Sequence, residues 1–334
     1  MPFSNEKSAD GKNYFGLQLK DAILKKQNGE RKSYDFFLSV LVEGKFDSEV
    51  QLAYIDSFRY CVSLLNQEHE NLVGIMLKMD WASKGSEVME AYISFLTELV
   101  SAHTFYLKGC LKMLVQKFMP EHKIDVHLDD IILESMSPRF ANVHKALFSI
   151  LQIVPTAPRH LLMKLCDLFP YIGKHQVFIQ SYIKNLLYIT DYMPTLQEKI
   201  FEIIIDNLLK IDVQIRKHDI EEELNNESVD ELDLDETQFD VEIDKEDHVE
   251  VSEPQEMKNE AARKMDNLML TMFETFKDSC LRDGIINWGK AEDLCADLLR
   301  VFDVVLLPTH ANSYVQFVIF YACSIDQVSL CHCI

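Results

Sequence analysis

A few side chains in this sequence could bind a metal or act as a nucleophile. Residues 331–333 read Cys-His-Cys, but a structural zinc site usually needs four ligands at wider spacing, and no other Cys/His pair is placed to complete one. Asp129 and Asp130 could hold a hard cation, yet adjacent helical residues do not face each other. Cys323 with His310 could supply a thiolate, but the apolar neighbours of Cys323 favour the inert thiol. We therefore predict no metal site, no cofactor and no catalytic residue, and hence not an enzyme.

Hydroxyl groups next to acids or prolines indicate a second kind of chemistry, phosphorylation. Ser228 and Thr237 are followed three residues later by an acid, which suits an acid-directed kinase, and Ser137 precedes a proline. Thr156 lies between two prolines in a turn that separates two apolar stripes. The candidate phosphorylation sites are therefore Ser137, Thr156, Ser228 and Thr237; a purely solubilising role for the two in the acidic stretch stays open.

The composition favours helices to carry these residues. The chain has 334 residues with 10 Gly and 9 Pro, whereas average usage would give roughly 23 and 17. Sheet proteins need frequent turn residues, so the composition argues against an all-β fold, and it leaves no room for the Gly-rich phosphate loops of doubly wound folds. The formal net charge of −21 argues against a protein that binds nucleic acid directly through its own surface.

The negative charge is concentrated in one segment. Residues 219–256 hold 18 of the 54 acids and a single base, Lys245. Repulsion among so many carboxylates opposes compact folding. We predict that this segment is a disordered acidic insertion between helices.

Apolar residues recur at helical spacing on both sides of the insertion. Met89, Tyr92, Ile93 and Leu96 begin one such stripe. Short helices begin after Pro158 and Pro194, which suggests a helix–turn–helix unit of roughly 40 residues, as in HEAT and armadillo repeats. The predicted fold is an all-α, HEAT/armadillo-like helical-repeat solenoid, because stripes on both helices of a pair cannot be buried within one pair.

These patterns divide the chain into five segments. They are a disordered N-terminus (1–13), helical repeats (14–218), the acidic insertion (219–256), further helical repeats (257–324) and an atypical tail (325–334). No apolar signal segment is expected at the N-terminus, and the longest apolar run, near Tyr314–Cys323, is about 10 residues and too short to span a bilayer. The spacing of the eight cysteines does not suggest a disulfide framework, so a reducing compartment is expected.

Several short segments, in their order along the chain, closely resemble the TIF-IA family of RNA polymerase I-specific transcription initiation factors. The resemblance covers about residues 14–324 and includes the acidic insertion. The segments are Leu99–Ala102 with Leu107, Val154–Pro158, Pro194–Leu196, Leu208–Asp212, Leu306–Ala311, Val315–Phe317 and Phe320–Ser324.

The resemblance implies a non-catalytic HEAT-repeat factor of the nucleus and nucleolus that is controlled by phosphorylation. It implies that RNA polymerase I is the main partner, and that the factor bridges the enzyme to a promoter-bound complex containing the TATA-binding protein. Direct sequence-specific DNA binding and membrane contact are not expected. We take Ser101, Thr104 and Thr156, in two breaks between helical stripes, as candidate partner-binding residues.

The chain departs from the family pattern at two places. The family continues with further helical repeats after the segment that matches Ser324, so a C-terminally truncated solenoid without a polar capping repeat is expected. The family's Val-Pro-Ser-Thr-Pro loop reads Val-Pro-Thr-Ala-Pro at Val154–Pro158, so Thr156 keeps a hydroxyl and Ala157 removes one.

Two other functional classes stay open from the residues alone. A scaffold or karyopherin-like transport protein would also be a helical solenoid, but its acids should line an inner face, whereas here they lie in one insertion. A helical enzyme with an unrecognised site should bring polar groups together on apolar elements, and the sequence shows no such group.

Overall fold

The chain forms helices almost throughout the part that the structure describes. The computed structural model describes residues 9–44, 46–120, 137–230, 260–282, 285–309 and 313–325. Within these ranges there are thirteen α-helices: α1 (Ala9–Gln27), α2 (Lys32–Glu43), α3 (Ser48–Tyr60), α4 (Glu70–Leu77), α5 (Ser86–Ala102), α6 (Leu107–Gln116), α7 (Ser137–Ile153), α8 (Ala157–Asp167), α9 (Gln176–Tyr192), α10 (Gln197–Asp230), α11 (Glu260–Cys280), α12 (Trp288–Val301) and α13 (Phe317–Ile325).

Shorter elements join these helices. Four 3₁₀ turns lie at Val62–Leu64, Gln67–His69, Thr104–Tyr106 and Pro194–Leu196. A π-helical turn, Phe302–Leu306, follows α12. Two-residue strands, β1 (Leu281–Arg282) and β2 (Ile285–Ile286), pair antiparallel with Leu281 opposite Ile286. The predicted all-α fold is confirmed, since this small pair forms no sheet core.

Side-chain caps begin some of the helices. The Asp47 carboxylate accepts a hydrogen bond from Val50 N at 2.9 Å and starts α3, and the Asn287 side chain does the same for α12. The sequence favours Ser86 as a cap for α5, but this expectation is wrong: Gly85 occupies the cap position and Ser86 is the first helical residue.

The chain folds into two compact units. The first comprises Met1–Pro170 with Tyr188–Leu196, and the second comprises Tyr171–Leu187 with Gln197–Ile334. The boundary falls inside α9, which is a continuous helix. The sequence shows no change of composition at this point, and the predicted block 14–218 contains it.

The first unit has the two-layer order of a helical-repeat protein. The odd-numbered helices α1, α3, α5 and α7 pack each on the next, and so do the even-numbered helices α2, α4, α6 and α8. Between the layers, α1 contacts α2, α5 contacts α6, and α7 contacts α6 and α8, so apolar stripes are buried both within and between the layers. This alternation is the arrangement that the repeated stripes predict.

Aromatic side chains fill the centre of the first unit. Trp81 and Tyr92 are fully buried and stacked, with ring centroids 4.9 Å apart. The Tyr92 hydroxyl donates to Met76 O at 2.9 Å, so its polar end is satisfied. Arg59 on α3 binds Glu98 on α5 through two of its nitrogens, with the shortest contact at 2.6 Å. This ion pair fixes how the two odd-numbered helices lie side by side.

A polar seam holds α11 in the second unit. Lys264 Nζ donates to the carbonyls of Ile172 (3.0 Å) and Lys174 (2.9 Å) ahead of α9, and burial lowers the pKa of this lysine. Further along, Asn267 donates to the Gln176 side chain at 2.9 Å. One more hydrogen bond extends the seam, from Gln180 Nε2 to Thr271 Oγ1 at 3.0 Å. The seam runs along one side of α11 and sets its position on the first half of α9.

The buried carboxylate of Asp212 anchors the last helix. Asp212 on α10 is 1% exposed, and its Oδ2 accepts from the backbone N–H groups of Ser313 (3.0 Å), Tyr314 (3.0 Å) and Val315 (3.4 Å). These amides lie just before α13. One side chain thus satisfies three donors at the entry to that helix.

Two predicted segment boundaries differ from the helix limits. Helix α1 begins at Ala9, inside the N-terminal segment 1–13 that is expected to be disordered. Helix α10 continues to Asp230, past the expected start of the acidic insertion at Asp219. Residues 1–8, the rest of the insertion up to residue 256, and the tail after Ile325 lie outside the described residues.

Apolar helical patterns in the sequence predict buried thiols at five cysteines, and four of the five are buried. Cys61, Cys110, Cys280 and Cys295 are buried within apolar surroundings, and burial raises the pKa of Cys61 to about 11 and of Cys110 to about 12. Cys166 is the exception, because it is exposed. Helix α8 buries Ala157, Leu161 and Leu165, and position 166 turns away from that face.

Candidate partner-binding edge

Three connections between helices share one backbone hydrogen-bond pattern. His103, Val154 and Met193 each donate their N–H to the carbonyl four residues earlier, at 2.9, 3.0 and 2.9 Å. Each then accepts, through its own carbonyl, from the N–H three residues later, at 3.1, 3.0 and 3.0 Å. Through its N–H, each of these residues closes the end of the preceding helix, and through its carbonyl it begins the turn that follows. The three connections are therefore structural equivalents.

This equivalence aligns the turns residue by residue. The buried residues Tyr106, Ala157 and Leu196 take the same position in each turn. Thr156 then corresponds to Phe105 in the preceding turn and to Thr195 in the following one. Thr195 is exposed like Thr156.

The alignment also corrects two details of the sequence interpretation. The equivalent prolines are Pro155 and Pro194, not Pro158 and Pro194. Thr195, which with Glu198 three residues later matches a capping box in the sequence, lies inside the 3₁₀ turn Pro194–Leu196 and does not cap α10. It was missed as a candidate site residue, although the Pro-Thr pair that it shares with the 155–156 turn is visible in the sequence.

The turns after α3, α5 and α7 lie along one edge of the first unit. His103 Nε2 donates to Val62 O at 2.8 Å and the Tyr106 hydroxyl donates to Asn66 O at 2.5 Å, so the turns after α3 and α5 touch. Helices α5 and α7 run in the same direction. Asn142, near the start of α7, donates to Ala82 O just ahead of α5 at 2.8 Å, and Lys145, further along α7, reaches Glu90, further along the chain in α5, at 3.7 Å. Their ends, and hence their turns, lie at the same side.

The predicted partner-binding hydroxyls lie on this edge. Ser101, Thr104 and Thr156 are all exposed. The Ser101 hydroxyl donates to Thr97 O at 2.6 Å. Thr156 precedes α8 and makes no side-chain capping bond to it. The end of α9 runs alongside α7 in the same direction, since Tyr188 contacts His144 and Tyr192 contacts Phe148. We call Ser101, Thr104 and Thr156, with Thr195 in the turn after α9, the hydroxyl edge.

The other candidate phosphorylation sites are Ser137, Ser228 and Thr237. Ser137 is exposed but is the first residue of α7, at the opposite end of that helix from Thr156. Ser228 lies in the last part of α10, where the side chains are not described. Thr237 lies outside the described residues.

The edge is built on the buried side chain of Tyr106. Burial raises the pKa of Tyr106 to about 12. Its hydroxyl therefore stays protonated at neutral pH and keeps its hydrogen bond to Asn66. The turn after α5 is held rigidly below its exposed residues, which suits a surface for protein binding more than a site for chemistry.

The chemistry candidates of the sequence do not form a site in the part that the structure describes. No group of three His, Cys, Asp or Glu side chains there could hold a metal ion. Asp129, Asp130, His310 and residues 331–333 fall outside that part. Cys323 is half-buried, and its Sγ lies 3.9 Å from Cys295 Sγ. No helix within the described ranges is both long and apolar enough to cross a membrane.

The matching family and the relatives described next are named as transcription initiation factors of RNA polymerase I. Residues 12–332 match the family described as RNA polymerase I specific transcription initiation factor RRN3. The match extends past Ser324, into the segment 325–334 that the sequence pattern sets apart as an atypical tail. This finding corrects the expected end of the resemblance.

Individual relatives carry the same name. The mouse RNA polymerase I-specific transcription initiation factor RRN3 is 33% identical over 93% of this chain and 49% of its own length. The fission yeast (Schizosaccharomyces pombe) factor rrn3 is 29% identical over 51% of this chain and 26% of its own length. A crystal structure of RNA polymerase I transcription initiation factor Rrn3 is similar in fold, with a TM-score of 0.70 and 15% identity. That similarity covers 99% of this chain and 59% of the solved one. The chain thus spans about half the length of the mouse relative.

Proposed function

Because the chain belongs to the family of RNA polymerase I-specific transcription initiation factors, we propose that it binds RNA polymerase I as a non-catalytic adaptor and makes the enzyme competent to initiate. The family match across residues 12–332 carries this proposal. Membership also confirms the resemblance that the sequence segments predict. The name of the mouse relative supports the same partner.

We further propose a bridging role at ribosomal RNA genes. In this role the adaptor links the polymerase to the promoter-bound complex that contains the TATA-binding protein, and acts in the nucleus and nucleolus. A helical-repeat unit offers extended surfaces for two protein partners. The net charge of −21 supports recruitment through proteins in preference to direct DNA binding.

The hydroxyl edge is the surface that we assign to polymerase binding. Its four hydroxyl residues are exposed. Ser101 lies in the last turn of α5 and not in a break between helices, and the three threonines lie on connections whose backbone is fixed by repeated hydrogen bonds. A phosphate on such a turn adds about −2 charge without changing the fold beneath it. Modification there would control binding directly.

The first prediction tests Thr156. We expect Thr156→Asp to weaken binding to purified RNA polymerase I by about 1 kcal/mol, roughly fivefold, because a charge enters a neutral contact. Thr156→Ala should bind like the unmodified chain. A pull-down titration with each variant measures the effect.

Ser137→Asp is the matched control, since it places the same charge on an exposed hydroxyl at the opposite end of α7. It should leave binding unchanged. Equal binding by the two Thr156 variants would rule out this residue as a switch.

Mass spectrometry of proteins that co-purify with the tagged chain tests the function as a whole. Subunits of RNA polymerase I should dominate the recovered proteins. Recovery of nuclear-transport components without polymerase would favour the carrier alternative and would overturn the proposal.

A further inference from the structure

Two long stretches of this acidic chain contain no acid at all. Asp and Glu are missing between Glu98 and Glu121 and again between Glu134 and Asp167. The same stretches contain seven bases: Lys108, Lys112, Lys117, Arg139, Lys145, Arg159 and Lys164. In a chain with 54 acids and a net charge of −21, this separation creates a local surface of opposite sign.

The structure brings part of these bases onto one side of the first unit. Helices α6 and α8, which are neighbours in the even-numbered layer, pack directly on each other. Lys108 and Lys112 are exposed on α6, and Arg159 is exposed on α8. Lysines four residues apart share a helix face, and packed helices lie about 8–10 Å apart. We call Lys108, Lys112, Arg159 and Lys164 the basic face.

Within the described residues, Lys108, Lys112 and Arg159 form no ion pair with an acid. Lys164, the fourth residue of the basic face, pairs with Asp167 at 2.7 Å. Two odd-numbered helices contact α6. Helix α5 carries Glu87, Glu90 and Glu98 and no base, whereas α7 lies within the second acid-free stretch and adds two further bases, Arg139 and Lys145.

Exposed apolar side chains accompany the cations. Met163, one helical turn after Arg159, is 52% exposed, and Phe105, just before α6, is 44% exposed. A phosphate backbone gains little from such groups, whereas an acidic polypeptide with apolar side chains can contact both. A duplex-binding protein also makes about 6–10 phosphate contacts, more than these four cations provide.

We propose that the basic face of α6 and α8 binds an acidic segment of a partner protein, one whose carboxylates alternate with large apolar side chains. Lys108, Lys112 and Arg159 would contact the carboxylates, and Met163 and Phe105 would contact the apolar residues. This surface is additional to the polymerase-binding function proposed above and does not depend on it.

Fluorescence anisotropy with the full chain and a defined peptide tests the proposal. The probe is a labelled synthetic peptide of roughly 20 residues, about 30 Å as a helix, made of Glu interspersed with Leu and Phe. Two comparison probes are the same peptide with Gln for Glu and a labelled duplex DNA of roughly 20 base pairs. The Glu peptide should bind at least about tenfold more tightly than the Gln peptide.

Two triple variants separate this surface from general charge. K108E/K112E/R159E should weaken binding of the Glu peptide by about tenfold. K32E/K184E/K277E makes the same change in net charge at exposed lysines elsewhere and should bind like the unmodified chain. Circular dichroism and thermal melting confirm that both variants fold.

Four results would overturn the proposal. One is the failure of the Glu peptide to bind, and another is equal weakening by the two triple variants. A third is tighter binding of the DNA duplex, lost in K108E/K112E/R159E, which would make this a nucleic-acid surface. The last is peptide binding that appears only after residues 231–256 are deleted, because the chain's own acids would then occupy the surface. The polymerase proposal is unaffected by any of these results, since no polymerase is present.

Discussion

At the scale of single residues, the side chain of His69 shows how non-local burial sets protonation. His69 is fully buried, with Nδ1 3.1 Å from the Tyr34 hydroxyl and 3.5 Å from Lys26 Nζ. Its Nε2 has no hydrogen-bond partner within the described residues. Burial, and then the charge of Lys26, lower the pKa of this imidazole. The neutral form is therefore the one that fits the fold.

This histidine predicts a loss of stability in mild acid. The folded pKa lies below the unfolded value of about 6.5, so the unfolded chain binds more protons as the pH falls. The contribution of His69 is complete above about pH 6.5 and is lost as the pH drops below that value. Urea denaturation between about pH 7.5 and pH 5.5 should show a steeper loss for the unmodified chain than for His69→Gln. His160→Gln, at a partly exposed position, should keep the full slope, and equal slopes for all three proteins would disprove the assignment.

The sequence predicts exposed residues better than buried polar ones. Thr156 could be placed in an exposed turn because prolines flank it. The burial of His69 could not be predicted, because it requires α1, α2 and a 3₁₀ turn to meet at one point. Cys166 was misplaced for a related reason, since the apolar stripe of α8 does not reveal which neighbouring positions turn outward.

At the scale of elements, one carboxylate controls how α13 is attached. Asp212 satisfies three amides ahead of this helix. We expect Asp212→Ala to destabilise the second unit by about 2–3 kcal/mol, because buried donors lose their acceptor. Hydrogen exchange of residues 313–324 should accelerate more than that of α10. Asp212→Asn, which keeps one acceptor oxygen, should have a smaller effect.

Asp206→Ala provides the control on the same helix. Asp206 is exposed and pairs only with Lys210 at 2.8 Å, a kind of contact worth about 0.5 kcal/mol. If this variant accelerated exchange in 313–324 as much as Asp212→Ala, the anchoring role of Asp212 would be disproved.

Helices could be predicted from periodic apolar stripes, but their connections could not. The stripe that contains Leu294 and Leu298 marks α12 correctly. The π turn after it depends on Leu307 N reaching Phe302 O at 2.8 Å, next to a proline that donates no hydrogen bond. The sequence pairs Pro158 with Pro194, because Pro158 lies at the start of α8. The structure instead pairs Pro194 with Pro155, which lies in the turn before that helix.

At the scale of the whole molecule, the helical-repeat order follows from the sequence, whereas its division into two units does not. The stripes recur without interruption through α9, and a continuous helix carries no signal of a boundary. The sequence shows both the acidic insertion and the two acid-free stretches. It does not show that bases from the two acid-free stretches lie close together, because this depends on the packing of α6 against α8.

Net charge predicts how salt affects the whole chain. Like charges repel in the folded state and salt screens them. Raising sodium chloride from about 20 mM to about 500 mM should therefore raise the melting temperature. Deleting residues 231–256 removes twelve acids and one base, so the same salt step should raise the melting temperature of the deletion variant less. An equal rise in both proteins would show that these acids do not act on stability through long-range repulsion.

Because several turns share one backbone hydrogen-bond pattern, we expect that the sequences of some of them can be exchanged. The turn at 154–156 and the turn at 193–195 have the same backbone frame and differ in the residues that it displays. A transplanted Met-Pro-Thr segment would therefore fit in place of Val-Pro-Thr without lengthening either helix. The turn at 103–105 cannot be exchanged as freely, because the His103 side chain forms a hydrogen bond to Val62 O in the turn before it. The residues that these two turns display can therefore change one turn at a time, while the helices beneath them keep their positions.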